Sequence, residues 1–176
     1  MQDSRSRKSI RLSSDAYQHG NAFSITIATF ERHPWFGLYA ELTGMVPQLL
    51  LEIAKERETV LFAWCVMPDH LHLLLQDKDI IGFVRVLKGR LTPEGRRLRL
   101  GRVLWQRSFF DHALRKEESL NDVARYIWAN PVRAGIVDCA SEYEWSGSLV
   151  WPNWKELLDG SKGGDEPRPY MPRRDG

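Results

Sequence analysis

Residues 65–75 read CVMPDHLHLLL, and this stretch decides the fold. Two apolar runs, VLFAWCVM at 60–67 and HLHLLLQ at 70–76, are separated only by Pro68 and Asp69. Pro followed by Asp is a turn signal, and both runs have the length and composition of strands. The pattern predicts a β-hairpin over residues 60–76 with a buried first strand.

The second strand of this hairpin carries two histidines in alternation with leucines. His70 and His72 project from one face of the strand, about 7 Å apart along it, while Leu71 projects from the other face into the core. Two imidazoles at this spacing can converge on one metal ion, although two histidines on an exposed sheet face would give the same pattern. Two ligands do not fill a coordination shell, so a metal site here needs a further ligand from elsewhere.

The segments on either side of the hairpin have the patterns of strands and helices. In chain order the predicted elements are a strand at 22–29, a loop at 33–37, a helix at 38–58, the hairpin, a helix at 79–90, one or two strands within 103–114, a helix at 118–129 and short tryptophan-containing elements at 141–158. This order is the split βαβ pattern, which predicts an α+β, ferredoxin-like fold with an antiparallel sheet. Helices on one face of that sheet would leave the other face open for a site.

Prolines and glycines affect the predicted course of two of these helices. Pro47 predicts a kink in the helix at 38–58, or a helix that begins near Gly44. Pro93, Gly95 and Gly101 are expected to interrupt the stretch that follows the helix at 79–90. We therefore expect the ordered helix to be the part before Pro93.

The helix predicted at 118–129 has an apolar face and a polar face. Tyr126 and Asn130 lie four residues apart, so they are neighbours on the polar face. A tyrosine oxygen becomes a useful nucleophile when a cation polarises its electrophile, and the Asn130 carboxamide oxygen is a candidate metal ligand. The alternatives are an exposed helix tyrosine and an asparagine that only ends the helix. The core stripe consists of Leu120, Val123, Ala124 and Ile127.

Positive charge is concentrated in two segments of the 176-residue chain, although its 25 basic and 23 acidic residues give a net charge of only +2. Basic clusters together with seven tryptophans favour a nucleic-acid partner. A solvated charged helix and a tryptophan-rich core are the alternative. The first cluster consists of Arg5, Arg7, Lys8 and Arg11, and the second of Lys88, Arg90, Arg96, Arg97, Arg99 and Arg102.

Length and composition exclude several classes of protein. The chain suits one domain, and its two cysteines are too few for a disulfide scaffold. No apolar run approaches the roughly 18 residues of a membrane helix, and the first eleven residues are polar and basic, so we expect no membrane partner, no secretory leader and a cytoplasmic location. The expected organisation is a basic arm at 1–20, one folded domain at 21–158 and a disordered tail at 159–176.

Two motifs taken together resemble a known family. CVMPDHLHLLL at 65–75 and ARYIWANPVRAGIV at 124–137 resemble the REP-associated tyrosine transposases, within the wider class of single-tyrosine, HUH-type transposases, where U is a hydrophobic residue. WQRSFFDHALR at 105–115 resembles a further family element that precedes the tyrosine helix. The resemblance covers residues 20–150, and it implies an HUH nuclease fold.

The resemblance also implies roles for individual residues. His70 and His72 match the metal-binding pair, Tyr126 matches the nucleophilic tyrosine, and Asn130 falls where relatives carry a polar ligand. Asp69 replaces the asparagine that is commoner in the family, and its carboxylate is expected to strengthen or shift metal binding. The implied enzyme cleaves and rejoins single-stranded DNA near hairpins, such as repetitive extragenic palindromes, through a 5′-phosphotyrosine.

The cofactor and partners follow from the same resemblance. The family is associated with Mg or Mn, and imidazole ligands favour Mn of the two. The expected partner is single-stranded DNA with a hairpin, bound by a monomer or a homodimer associated with the nucleoid. Two alternatives remain: a hairpin-binding protein without catalysis, and a metal-dependent phosphodiesterase that uses water, with Tyr126 only structural.

Four further residues are candidates for contacts with DNA. Arg133 follows Asn130 closely enough to reach the scissile phosphate, or it only caps the helix end. His112 could orient DNA or the tyrosine, although an ordinary polar contact is the simpler interpretation. Trp105 and Trp128 could stack on bases, whereas Trp64 belongs to the core.

Overall fold

The hairpin predicted at 60–76 is the centre of the sheet. The computed structural model describes residues 21–100, 103–115 and 118–159. The strands are β1 (Phe23–Ala28), β2 (Val60–Met67), β3 (His70–Gln76), β4 (Phe110–Ala113) and β5 (Ser146–Gly147). The helices are α1 (Trp35–Leu38), α2 (Ala40–Arg57), α3 (Ile80–Arg97), α4 (Leu120–Trp128), α5 (Asn130–Arg133) and α6 (Glu156–Asp159), with 3-10 turns at Phe30–Arg32 and Ala140–Glu142.

The sheet has the strand order β4-β1-β3-β2-β5, and every neighbouring pair is antiparallel. β1 and β3 are adjacent although α2 and β2 separate them in sequence, and α3 connects β3 to β4 at the far edge. This is the split βαβ arrangement, so the predicted α+β, ferredoxin-like class is confirmed. β5 extends the sheet by one short strand beyond β2.

One face of the sheet packs against α2 and α3. Alternate strand residues supply this core, among them Ile25 and Ile27 of β1 and Leu71 and Leu73 of β3, all fully buried. From the helices, fully buried residues pack against them, including Leu42, Leu50, Ile53, Ile80, Phe83 and Leu87. Leu71 and its alternate neighbours thus lie on the face opposite to the histidines, as the pleat requires.

The opposite face is not open, contrary to the expectation from the sequence. A second apolar cluster lies there, in which Cys65, Met67 and Leu74 of the hairpin pack against Ile127 and Trp128 of α4. A register shift in β2 between Leu61 and Ala63 accompanies this packing. The tyrosine helix therefore covers the β2 side of this face, and the histidines lie beside it.

Two helices continue through prolines. α2 begins at Ala40 and includes Pro47, so a start near Gly44 was wrong. α3 runs to Arg97 through Pro93, which was expected to interrupt it. Burial explains the difference, because Leu91 before the proline and Gly95 after it both belong to the buried stripe of this helix.

The remaining differences concern short elements. Residues 33–37, predicted as a loop, include the first residues of the single-turn helix α1. Within 103–114 only β4 is a full strand, with an isolated bridge between Thr29 and Trp105. The tyrosine helix ends at Trp128, near the predicted end, and Asn130 begins the short helix α5. Residues 1–20 and 160–176, which hold the predicted arm and most of the predicted tail, lie outside the described residues.

Within the described ranges, no helix combines the length and the apolar character that crossing a bilayer requires.

Candidate active site

The two histidines of β3 point their outer nitrogens at each other. The Nε2 atoms of His70 and His72 are 2.9 Å apart, and the rings meet edge to face with centroids 4.6 Å apart. Strand alternation places both side chains on the face that α4 partly covers, next to β1, where Thr26 is the register partner of His72. The pair is thus brought together by the strand itself.

A second contact holds each imidazole from its other nitrogen. The Nδ1 atom of His70 lies 2.5 Å from Oδ1 of Asp69, and Nδ1 of His72 lies 3.1 Å from the Thr26 hydroxyl. A carboxylate only accepts, so the His70 Nδ1 carries the proton and its Nε2 presents a lone pair. The other carboxylate oxygen of Asp69 is 3.4 Å from the Arg32 guanidinium. Asp69 therefore orients His70 from behind and does not face His72.

Both imidazoles are held in the neutral form. Burial is the main cause that lowers the pKa of His70, and the neighbouring Asp69 carboxylate offsets part of this effect. Burial also lowers the pKa of His72 to about 3, with further contributions from the positive charges of His70, Arg133 and Arg32. A metal ligand must be a neutral imidazole, so both residues are in the state that binding requires.

The donor set fits a divalent transition ion. Two neutral imidazoles converge through their Nε2 atoms while a carboxylate and a hydroxyl hold the opposite nitrogens, which is the usual arrangement behind metal-binding histidines. Within the described residues, no group of three His, Cys, Asp or Glu side chains is arranged to hold a metal ion. A further protein ligand from this part of the chain would therefore be of another type, such as the amide oxygen of Asn130.

Tyr126 lies on the partly exposed side of a firmly anchored helix. Ser119 caps the first turn by accepting a hydrogen bond from the amide of Asp122, at 3.4 Å. Trp128, near the other end, is fully buried and donates its indole N–H to the carbonyl of Gly147 at 3.0 Å. Burial of the apolar face thus turns Tyr126 away from the core of this layer.

The side chains of Asn130 and Arg133 fold back onto the end of the tyrosine helix. Asn130 donates through Nδ2 to the carbonyls of Ile127 (2.9 Å) and Tyr126 (3.3 Å), and its Oδ1 accepts from Arg133 at 2.7 Å. Arg133 also lies over the Tyr126 ring, with Cζ 3.8 Å from the centroid. The helix of Tyr126 packs on Leu74 of β3, which shares a strand face with His72, so the tyrosine helix and the histidine pair lie on the same face of the sheet.

His112 contacts the segment that begins the tyrosine helix. On β4 it is the register partner of Ser24, and its Nε2 lies 2.9 Å from Oε2 of Glu118. Glu118 immediately precedes the capping residue Ser119. The polar contact that the sequence suggested for His112 is therefore with the entry to the helix.

The predicted basic cluster divides into paired and unpaired residues. Lys88 donates to the carbonyls of Gln106 and Ser108 at 2.8 and 3.2 Å. Arg90 pairs with Glu56 and Glu52, and Arg97 pairs with Glu94 and Glu41. Within the described residues, the exposed Arg96 and Arg99 have no ion pair. The other basic candidates, Arg5, Arg7, Lys8, Arg11 and Arg102, lie outside the described residues.

The two tryptophans suggested for base stacking are core residues, so that interpretation was wrong. Trp105 is 6% exposed and packs against Phe36, and Trp128 is fully buried between Trp151 and Trp154. Neither ring offers a face to a base. The tryptophan content of the chain therefore reflects packing in the two apolar clusters of this fold.

Sequence reasoning missed three residues that support the site. Thr26 holds His72, Arg32 lies against Asp69, and Glu118 holds His112. Alternation placed Thr26 on the polar face of its strand, but its partner depends on the register between β1 and β3. Nothing in the sequence signals the Arg32 and Glu118 contacts, which join segments that are distant or separated by a turn.

Comparison with known proteins places this arrangement in a family. A family model described as "Transposase IS200 like" matches residues 21–130, which include the histidine pair, the tyrosine and Asn130. The chain belongs to the IS200-like transposase family. The resemblance to the tyrosine transposases inferred from the motifs is thereby confirmed.

Two curated proteins are similar to this chain in sequence. One, from Haemophilus influenzae, is assigned to the REP-associated tyrosine transposases and is 33% identical over 103 residues, covering 51% of this chain and 57% of that protein. The REP-associated tyrosine transposase of Escherichia coli is 27% identical over 107 residues, covering 58% of this chain and 62% of that protein. The matched regions thus span less than two thirds of either relative.

A solved structure shares the fold of this IS200-like transposase chain. It is a REP-associated tyrosine transposase bound to a REP hairpin, with a TM-score of 0.63 and 22% sequence identity. The match covers 83% of this chain and 87% of that one. The two chains therefore share their fold.

Proposed function

We propose that this protein is a metal-dependent transesterase that cleaves and rejoins single-stranded DNA beside hairpins. The observation that carries the proposal is the position of the anchored histidine pair beside the tyrosine helix, on the same face of the sheet. Membership in the IS200-like transposase family supports the same reaction class. Water-based hydrolysis would give the tyrosine no part, whereas three contacts hold Tyr126 and the end of its helix.

His70, His72 and Asn130 would hold the divalent ion, with Asn130 Oδ1 exchanging its contact with Arg133 for the ion. Two imidazole nitrogens with one amide oxygen favour Mn over Mg, although both accept oxygen from phosphate and water. The bound ion would draw charge from a non-bridging oxygen of the scissile phosphate. Asp69 and Thr26 keep the two rings oriented from their other nitrogens.

Tyr126 is the proposed nucleophile. Its hydroxyl oxygen forms a bond to phosphorus, the bond from phosphorus to the 3′ oxygen breaks, and that oxygen gains a proton while the phenol loses one. The products are a 5′-phosphotyrosine and a 3′-hydroxyl. One phosphate ester replaces another, so the 3′-hydroxyl of a second strand can reverse the step without ATP.

Arg96 and Arg99 are the proposed phosphate contacts among the described basic residues, since they are exposed and have no ion pair there. Arg96 lies in the last turn of α3 and Arg99 just after the helix. Further along the chain, the backbone N–H of Gln106 donates to the carbonyl of Ala28 at 3.0 Å. Ala28 is the register partner of His70, so this segment borders the site. The substrates we propose are REP-type hairpins. We propose that the protein binds them in the cytoplasm, where the chromosome lies.

Covalent capture tests the reaction. The full chain is incubated with Mn and a single-stranded hairpin oligonucleotide labelled at its 5′ or its 3′ end, and adducts are separated under denaturing conditions. We expect an adduct that retains only the 3′ label, because a 5′-phosphotyrosine carries the downstream fragment. An adduct with the 5′ label, or hydrolysis without any adduct, would contradict the mechanism.

Matched variants assign the adduct to the proposed residues. Tyr126→Phe should abolish it, and His72→Ala should reduce it at every Mn concentration. Tyr39→Phe is the control, since Tyr39 lies at the start of α2 outside the site. Hairpin binding that persists without any adduct in the wild-type protein would favour a binding protein without catalysis.

A further inference from the structure

Arg133 contacts the tyrosine helix at several points, and none of these contacts is required for binding a phosphate. Its Nη2 atom donates to the carbonyl of Tyr126 at 3.0 Å and to Oδ1 of Asn130 at 2.7 Å. Its guanidinium carbon lies 3.8 Å from the centre of the Tyr126 ring. One side chain therefore contacts both the backbone and the ring of the same tyrosine.

These contacts provide hydrogen-bond donors for backbone carbonyls at the end of the helix. The last carbonyls of a helix have no partner within the helix, and a cation there also interacts favourably with the helix dipole. Asn130 donates to two of these carbonyls, and Arg133 shares the carbonyl of Tyr126 with it. Tyr126, Asn130 and Arg133 thus form one connected group at the end of α4.

The ring contact constrains the phenol. A planar guanidinium over one face of the ring opposes rotation of the side chain about its first torsion, which would break the stacking. The direction of the ring sets where its hydroxyl oxygen lies. A misplacement of about 1 Å at a reacting atom can cost about 100-fold in rate, so a contact that adds little stability can still matter greatly for attack.

Arg133 differs in this respect from the basic residues of α3. Arg96 and Arg99 project from the surface without an ion pair in the described part of the chain, as phosphate contacts commonly do. The guanidinium of Arg133 has one face on the tyrosine ring and its Nη2 engaged by two acceptors. Binding a DNA phosphate through the same groups would require these contacts to break.

We propose that Arg133 is a positioning residue that holds the Tyr126 ring and the end of its helix in place, and that it does not bind a DNA phosphate. The expected effect of Arg133 on the rate of adduct formation rests on the proposed function. The contact between Arg133 and the Tyr126 ring exists without DNA. The two can therefore be tested separately.

The salt dependence of hairpin binding and the rate of adduct formation distinguish the two roles of Arg133. For Arg133→Ala we expect an unchanged slope of log affinity against log salt, and a rate constant at saturating DNA that is lower by about 10-fold to 100-fold. Arg133→Lys keeps the charge without the planar group and should not restore the rate. Arg99→Ala should make the slope shallower by about 1, as expected for a phosphate contact. Arg85→Ala, an exposed arginine in the first half of α3, is the control and should change neither quantity.

Fluorine NMR of the full chain labelled with 3-fluorotyrosine tests the ring contact without DNA or metal. The Tyr126 signal is assigned by its loss in Tyr126→Phe, and we expect it to move and narrow in Arg133→Ala but not in Arg85→Ala. Circular dichroism checks folding, and Arg133→Lys serves if the alanine variant does not fold. An unchanged Tyr126 signal, or a shallower salt slope with an unchanged rate, overturns the proposal. A wild-type protein that forms no adduct refutes the proposed function and leaves the NMR result standing.

Discussion

The Nε2 atom of His112 lies 2.9 Å from Oε2 of Glu118, and this contact joins the edge strand β4 to the entry of the tyrosine helix. The same carboxylate oxygen accepts the backbone N–H of Arg115 at 2.7 Å. Burial opposes the charge of Glu118, but the hydrogen bonds from Arg115 and His112 outweigh it and hold the pKa of the carboxyl below its ordinary value. Glu118 therefore stabilises the turn from which the helix begins.

Removing this carboxylate should loosen the start of the tyrosine helix. We expect Glu118→Ala to lower the free energy of unfolding by about 1–2 kcal/mol, because it removes a charged hydrogen-bond acceptor shared by two donors. Urea denaturation measures the change. Glu142→Ala, at an exposed carboxylate, should stay within about 0.5 kcal/mol of the wild type. Equal effects of the two substitutions would show that the Glu118 contact adds nothing.

In the proposed metal site, affinity for the ion should depend on the Thr26 hydroxyl, which contacts His72 at the nitrogen opposite the contact with His70. Thr26→Val keeps the shape of the side chain but removes the group that holds Nδ1 of His72. Outer contacts of this kind typically contribute 10-fold to 100-fold in affinity, so we expect a loss of about that size. Titration of Mn followed by electron paramagnetic resonance measures it. Ser24→Ala, on the same face of β1, is the matched control, and a Thr26→Val affinity equal to that of the control would refute this role.

The carboxylate of Asp77 should make stability depend on pH in acid. Its side chain is 1% exposed, and it accepts hydrogen bonds from Arg57, Thr59 and the backbone of Asp79. Burial acts to raise the pKa of Asp77, but these hydrogen bonds together lower it from its usual 3.8. We expect Asp77→Asn to cost about 2–4 kcal/mol at pH 7, because it breaks a largely buried ion pair.

The pH dependence of that cost follows from the lowered pKa. The stability from ionised Asp77 is fully present above pH 3.8 and is lost as pH falls through the lower pKa of the folded state, since the unfolded chain binds the proton first. The difference between wild type and Asp77→Asn in urea denaturation should therefore shrink below pH 3.8. Glu58→Gln, which removes an exposed carboxylate that pairs with Lys78, should show neither effect. A difference that persists unchanged into acid would contradict this assignment.

The two cysteines should differ in reactivity. Cys65 is fully buried, and burial raises the pKa of its thiol to about 12, so the reactive thiolate is scarce. Cys139 is exposed. We expect one equivalent of iodoacetamide to modify the native protein at Cys139 and a second to react only after unfolding, as peptide mass spectrometry would show. Rapid labelling of native Cys65 would mean that the layer between α4 and the sheet opens readily.

Alternation and turn chemistry made most of the fold predictable. Histidines and leucines alternate over residues 70–73, so the two faces of β3 could be assigned before the sheet was known. The predictions at the prolines were wrong because the rule that proline interrupts a helix was applied without regard to tertiary packing. Leu91 and Gly95 are buried on either side of Pro93 and hold α3 together through it, and no local signal reports burial.

The site was predictable in its residues more than in its contacts. The motifs named the histidines, Tyr126 and Asn130, but their proposed roles are still predictions. Thr26 could not be assigned to His72 because the register of two strands that are distant in sequence decides that contact. Trp128 was misjudged because its neighbours in the second apolar cluster come from residues more than twenty positions further along.

The packing of α4 on the sheet of its own chain has a genetic consequence. The fully buried Trp128 and its hydrogen bond to Gly147 hold the helix there, so each polypeptide carries its own histidine pair and its own tyrosine in one neighbourhood. Under the proposed function, an allele lacking His72 and one lacking Tyr126 should therefore fail to complement each other when expressed together. A single intact copy of the gene should suffice for activity. Neither mutant protein should inhibit the intact protein by exchanging helices with it.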